Sequence, residues 1–225
     1  MSRVYLVRHG QAAFGTDDYD RLTETGVAQC RQLARHWRAI GRDVDCVYSG
    51  TLQRQRESAD IFVRAAAEEG AASLPVRLLP GLEEYDYPGL LAASPATTLQ
   101  AGIRPDPRAF HDGLADALRA WAAGELPGIE PYAAFRDRCA AALTSLLGDL
   151  GRGRSAVLFG SAGSLTAAMQ PALGLGDREL LRLTLTFYNS GVSSSLFDGE
   201  TITIDTVNAV SHLEQPGLGH LITHR

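Results

Sequence analysis

Runs of apolar residues and helically spaced apolar stripes take turns along the chain. Val4-Tyr5-Leu6-Val7 is a short, almost wholly apolar, β-favouring run, the pattern of a buried strand. Val27, Cys30, Leu33, Ala34 and Trp37 then recur at helical spacing, with Thr23 placed as N-cap and Glu24 at the positive end of the helix. Cys46-Val47-Tyr48-Ser49 reads as a second strand. Leu52 to Glu69 reads as a helix with Leu52, Ala59, Phe62 and Ala66 inward, stopped by Gly70. Val76-Arg77-Leu78-Leu79 is a third strand. Phe110, Leu114, Ala117 and Trp121 put one apolar stripe on a helix from Pro107 to Ala122. Phe135, Cys139, Ala142, Leu143 and Leu146 mark the next helix, opened by Pro131 at its first position and ended between Gly148 and Gly153. Ala156 to Gly160 is another buried strand, followed by a helix from Leu165. Asp177 to Arg182 reads as a short helix. Gly191 to Phe197 and Thr201 to Asp205 flank Asp198-Gly199 as a hairpin.

At 225 residues the chain is long enough for one α/β domain, or for a domain with a small cap. The stretch from about residue 90 to 128 fits no part of a doubly wound core and reads as that cap. Hydrophobic content of 45% and charged content of 21% are those of a soluble globular protein. No apolar run approaches the ~20 residues of a membrane span, and the N-terminus has no secretory pattern. A net charge of -5 without a basic block argues against nucleic acid as a partner. Cys30, Cys46 and Cys139, odd in number and widely spaced, suggest buried reduced thiols. A cytoplasmic location is the expectation, and the oligomeric state is left open. The tail from Glu214 to Arg225 shows no clear structure, and in it His220 and His224 stand four apart. Pro216, Gly217 and Gly219 argue against a metal-binding helix there, so both are expected to be solvated.

Charge appears abruptly where the first strand ends. Arg8 is a fixed cation, His9 offers a lone pair, and Gly10 lets backbone approach closely. Ligands of open α/β sheets bind at the carboxyl ends of strands, and a cation, a nucleophile and bare backbone there suit a phosphoryl group. Ser161-Ala162-Gly163-Ser164, small residues between a strand and a helix, form an anion cradle of backbone N–H groups.

Arg8-His9-Gly10-Gln11 resembles the signature of the histidine phosphatase superfamily, the phosphoglycerate-mutase-like proteins. The likeness continues in Leu22-Thr23 and Gly26, in Leu52, Arg54, Ser58 and Ala59, in Leu82-x-Glu84, and in Asn189-Ser190-Gly191 with the segment from Asn208 to Leu213. The resemblance implies a mostly parallel sheet with helices on both faces. It implies phosphorylation of His9, phosphate binding by Arg8, Arg54 and Gly10, and proton transfer by Glu84, with Glu83 the alternative one register away. No metal or cofactor is implied. The second catalytic His that the family places directly before Gly163 is replaced by Ala162, which leaves backbone N–H groups of Ala162 and Gly163 as donors and His212 as a possible substitute. The expectation is a phosphatase of reduced activity acting on a small phosphate ester or a phosphoprotein. Ala162 is open to three accounts: a slower natural phosphatase, a deliberate His-to-Ala variant, or a protein that binds phospho-ligands without turnover; a phosphoglycerate mutase is a further alternative. The family's mutases carry a Trp-Asn pair after the signature, where this chain has Ala12-Ala13-Phe14-Gly15.

Overall fold

A computed structural model describes residues 1–13, 19–94 and 107–224; for residues 107–110 it describes the backbone alone. The stretch from Ala12 to Asp20, which the sequence reads as a loop over the candidate site, and the cap therefore lie partly outside the described residues, as does the side chain of Phe110. The elements run β1 (Ser2–Arg8), α1 (Glu24–Ala39), β2 (Cys46–Ser49), α2 (Gln53–Glu68), β3 (Val76–Leu78), α3 (Tyr87–Ala93), α4 (Pro107–Ala122), α5 (Tyr132–Leu150), β4 (Ser155–Gly160), α6 (Ala162–Leu173), α7 (Asp177–Thr184), β5 (Val192–Phe197) and β6 (Ile202–Ala209). One six-stranded sheet has the order β3-β2-β4-β1-β5-β6. The first four strands are parallel, and β5 and β6 are antiparallel to their neighbours.

Period-two alternation divides the strand side chains between two layers. Val4, Leu6, Cys46, Tyr48, Ala156 and Leu158 face a cluster with α4, α5 and α6. Tyr5, Val7, Val47, Val157 and Phe159 face α1 and α2. On that second face Tyr5, Trp37, Phe62 and Phe159 form a chain of rings with centroids 4.7 to 5.5 Å apart, which ties both helices to the sheet. The three cysteines are free and buried.

Several boundaries differ from the sequence reading. α6 begins at Ala162 and not at Leu165, because Ser161 and Ser164 exchange the hydrogen bonds of a capping box. Pro131 is the N-cap of α5 and not its first helical residue, while the helix ends at Leu150, capped by Gly151, inside the range from Gly148 to Gly153. β6 continues to Ala209, paired with β5. Within the stretch read as a cap, the described Leu90, Ala117, Leu118, Trp121 and Leu126 pack in the same cluster as the sheet. The tail also departs from the expectation. Leu221 is buried with Val210 and Leu213, because Leu218 and Ile222 share its apolar face. A single 3₁₀ turn spans Gly219–Leu221, and His220 is exposed. His224 is exposed to solvent too, yet its ring lies 4.2 Å from that of Tyr188.

α1 docks under the turn after β1 by a backbone contact between two glycines. A Cβ at Gly10 would lie 2.5 Å from the Gly26 carbonyl oxygen, and one at Gly26 would lie 2.2 Å from that of Gln11. Thr23 caps α1, accepting from the Gly26 N–H at 3.1 Å and donating to Gln11. Gly10→Ala or Gly26→Ala is expected to lower stability by about 1–3 kcal/mol through overpacking. Exposed Gly148, inside α5 with open space around it, is the control. Gly148→Ala is expected to raise stability by about 0.5–1 kcal/mol. Denaturant midpoints of the three variants measure both signs.

Candidate active site

The carboxyl ends of the four parallel strands converge on one cavity of about 1460 Å³. β1 delivers Arg8 and His9, the turn after β2 delivers Arg54, the loop after β3 delivers Glu84, and β4 leads directly to Ala162. Of the residues singled out from the sequence, these five line the cavity. Gly10 and Gly163 stand behind them. The Gly10 N–H donates to Ser58 Oγ at 3.0 Å, so this glycine is required by the packing of Gly26 and by the neighbouring histidine. The Gly163 N–H donates to Glu84 Oε2 at 2.8 Å, and a Cβ at Gly163 would lie 2.3 Å from Glu84 Oε1.

His9 is 4% exposed. Its backbone is fixed on both sides, the N–H donating to Gly160 O at 2.8 Å and the carbonyl accepting from the Ser190 N–H at 3.2 Å. The ring is fixed as well. Nδ1 is 2.7 Å from the Gly10 carbonyl, which can only accept, so Nδ1 carries the proton. Nε2 keeps its lone pair and accepts from Arg54 Nε at 3.2 Å. Burial first, then the nearby Arg54 and Arg8 charges, hold the His9 pKa well below its ordinary value, and the ring is neutral at pH 7.

Arg54 is 5% exposed and sits in the first turn of α2. A cation there gains nothing from the helix dipole. Its stabilisation comes from Asp20, whose Oδ1 accepts from Nη1 at 2.6 Å while Oδ2 accepts from the Gln53 N–H at 2.8 Å. The ring of Tyr19 covers the guanidinium, 5.1 Å from Cζ to centroid. Arg8 is half-buried; its Nη1 donates to Phe187 O at 2.5 Å and His224 O at 2.8 Å. Among the described residues its buried Nε has no hydrogen-bond partner.

Glu84 and Glu83 have opposite surroundings. Burial raises the Glu84 pKa, opposed by the Gly163 N–H and by Arg54. Burial also works to raise that of Glu83, but Thr51 Oγ1 at 2.6 Å, the Gly81 N–H at 2.9 Å and Arg138 outweigh it and the net shift is downward. Glu84 lines the cavity and Glu83 does not. Tyr85 beside it is held by the ring of Trp121, 5.3 Å away, so α4 steadies this loop.

Sequence reasoning gave no site role to Asp20 or Thr223, placed Asn189 only in a family-like segment and took His224 as solvated, yet all four line the cavity. His212 does not line it. It is buried, 2.8 Å from Ser190 Oγ, and its pKa is lowered by burial to about 3. Among the described residues no group of three His, Cys, Asp or Glu could hold a metal ion, and no helix is long and apolar enough to cross a membrane.

Residues 4–210 match the model of the histidine phosphatase superfamily, branch 1. A 2,3-bisphosphoglycerate-dependent phosphoglycerate mutase of Bradyrhizobium diazoefficiens is 36% identical over 91 residues, which are 37% of this chain and 42% of that protein. The corresponding mutase of Nitrobacter winogradskyi is 33% identical over the same shares. The match thus spans less than half the length of these curated relatives. Among solved structures, a phosphoserine phosphatase of Entamoeba histolytica bound to phosphoserine superposes with a TM-score of 0.65 at 17% identity, covering 95% of this chain and 100% of that one. Bacillus stearothermophilus YhfR gives 0.67 at 19%, covering 94% and 99%. A mycobacterial glucosyl-3-phosphoglycerate phosphatase gives 0.65 at 19%, covering 92% and 98%. Identities this low establish the shared fold.

Both buried histidines make stability depend on pH. His9 and His212 have folded pKa values below the unfolded value of about 6.5. The unfolded chain therefore binds protons first, and stability, fully present above pH 6.5, falls as the pH drops below it. His212→Gln, which keeps a hydrogen-bonding group toward Ser190, is expected to flatten this loss between pH 6.5 and 4, as read by denaturant midpoints across that range.

Proposed function

We propose, for a chain that belongs to the histidine phosphatase superfamily, that it hydrolyses phosphate monoesters through a phosphohistidine on His9. The observation that carries this reading is the fixed neutral imidazole, its Nε2 lone pair turned toward Arg54 in a cavity that also holds Arg8 and Glu84.

The Nε2 lone pair attacks phosphorus, and the ester P–O bond breaks on the opposite side. The Arg54 Nε–H that rests on Nε2 passes to a phosphoryl oxygen, and Arg8 supplies the second guanidinium. The proton of the Glu84 carboxyl goes to the departing alkoxide. Burial raises the pKa of this group, which favours the acid form needed for that step. Water then attacks phosphorus, Glu84 takes its proton, and the N–P bond breaks to regenerate His9. The arginines carry the charge stabilisation, and the proposal requires no cofactor. Ala162, the first residue of α6, faces the cavity without a side-chain donor. The resemblance puts the family's second His there, so the reaction is expected to be slow.

The cavity exceeds the roughly 300–1,000 Å³ of an ordinary ligand pocket. Tyr85, Tyr87, Tyr188, Leu114 and Leu185 also line it, with Asp86 and Asp112. Among the described lining residues, Arg8 and Arg54 are the only Arg or Lys. Among those described residues, a second phosphate or a carboxylate on the substrate meets no arginine or lysine beyond these two. This favours esters of bulky neutral alcohols over bisphosphoglycerate, and hydrolysis over mutase action.

The test is release of inorganic phosphate from a panel of aryl, sugar, glycerate and peptide phosphates. Aryl esters are expected to turn over fastest, and His9→Ala to abolish turnover. Full activity of His9→Ala, or glycerate esters as the preferred substrates, would contradict the reading. Ala162→His is expected to raise kcat by about 10²–10³-fold, the usual worth of one transition-state donor, with little change in phosphate affinity.

A further inference from the structure

The cavity contains a buried polar group that the scheme above leaves without a task. Asn189 is fully buried and lines the cavity beside His9, since the Ser190 N–H that follows it donates to the His9 carbonyl. Among the described residues its Nδ2 has no hydrogen-bond partner. A buried amide left in that state costs free energy unless a ligand satisfies it.

The amide orientation follows from a chain of bonds that begins at a backbone donor. The Gln11 N–H donates to Gln29 Oε1 at 2.8 Å, which identifies the oxygen end of Gln29. Gln29 Nε2 then donates to Leu221 O at 2.7 Å and to Thr223 Oγ1 at 2.9 Å. Thr223 Oγ1, which accepts from Gln29, donates its own hydroxyl proton to Asn189 Oδ1 at 2.9 Å. The Asn189 N–H donates to Thr223 O at 2.8 Å and pins the same two residues a second time. The oxygen of the Asn189 amide is thereby turned away, and Nδ2 is the end left over. Arg8, whose Nε is also buried without a partner among the described residues, lines the same cavity. Two residues with an unmet N–H donor therefore line the cavity that holds His9, and an anion there would satisfy such donors.

We propose that the Asn189 side-chain amide is a catalytic hydrogen-bond donor to the phosphoryl group transferred to His9, with Thr223 and Gln29 as positioning residues. The inference rests on the phosphatase reading of the site. It assigns to β5's leading segment and the C-terminal tail a share of the charge stabilisation that Ala162 does not give. It also gives the tail a reason to fold back: Thr223 orients the donor while the His224 carbonyl accepts from Arg8.

The test joins two variants with a titration of the unmodified chain. Asn189→Leu keeps the side-chain volume and removes the donor; Thr223→Val removes only the hydroxyl that orients it. Asn189→Leu is expected to lower kcat by about 10²–10³-fold, with KM nearly unchanged and inhibition by vanadate weakened by a like factor. Thr223→Val is expected to lower kcat by a smaller factor, because the amide is still present but free to turn. In the unmodified chain, the Asn189 side-chain amide protons are expected to shift when vanadate or inorganic phosphate is added, as read by NMR. A folded Asn189→Leu protein with kcat within twofold of the unmodified chain would overturn the proposal. So would saturation with vanadate that leaves the Asn189 amide signals in place, and this titration decides the matter alone if Asn189→Leu does not fold. A chain that binds vanadate but releases phosphate from no ester would sink the phosphatase reading, while the amide shift would still decide whether Asn189 contacts the anion.

Discussion

The hydrogen bond from His9 Nδ1 to the Gly10 carbonyl is the constraint on which the site depends. It is made between neighbouring residues, so it needs a backbone turn that presents the carbonyl back toward the ring. That turn exists because Gly10 and Gly26 bring two backbones closer than any Cβ allows. The His9 tautomer is thus set by the way α1 packs against the end of β1. Burial then keeps the ring neutral, and the two guanidinium groups add to the same effect. Two arginines beside a histidine would repel an imidazolium, so the charge that readies the cavity for phosphate also preserves the lone pair.

The parallel half of the sheet explains why these groups meet. Each strand end contributes one part, although the residues lie far apart in sequence, because parallel strands place their carboxyl ends together. The antiparallel half adds what parallel strands do not supply. β5 runs against β1, so the chain arrives at the site just before β5 begins and leaves Asn189 and Ser190 there. Acidic groups complete the balance: Asp20 compensates buried Arg54 and at the same time caps α2, and the α6 N-terminus receives Glu84.

Much of this was legible in the sequence where a local rule operates. Val4 to Val7 ending in Arg8-His9 announces a buried strand with chemistry at its end, and the capping residue Thr23 stands where the pattern puts it. Leu82-x-Glu84 selected the carboxylate that the structure places in the cavity, and the free buried cysteines match the reading of their spacing. What was not legible depends on long-range contact. Nothing near Asp20 in sequence announces that it will meet Arg54, and the relay from Gln29 through Thr223 to Asn189 joins residues up to 194 positions apart. The tail misled because Pro216, Gly217 and Gly219 forbid a helix there but do not prevent docking by Leu218, Leu221 and Ile222. Gly10 was expected to make room for a ligand, and the structure shows that the room is taken by Gly26.

The central claim is that His9 Nε2 becomes bonded to phosphorus during turnover. It is tested most directly by mixing the protein with a ³²P-labelled aryl phosphate, quenching in alkali within milliseconds, and locating the label by peptide mapping. The account predicts an alkali-stable, acid-labile label on the peptide containing His9, formed and lost at rates compatible with turnover. Ester hydrolysis at the full rate with no label on His9 at any time would contradict it.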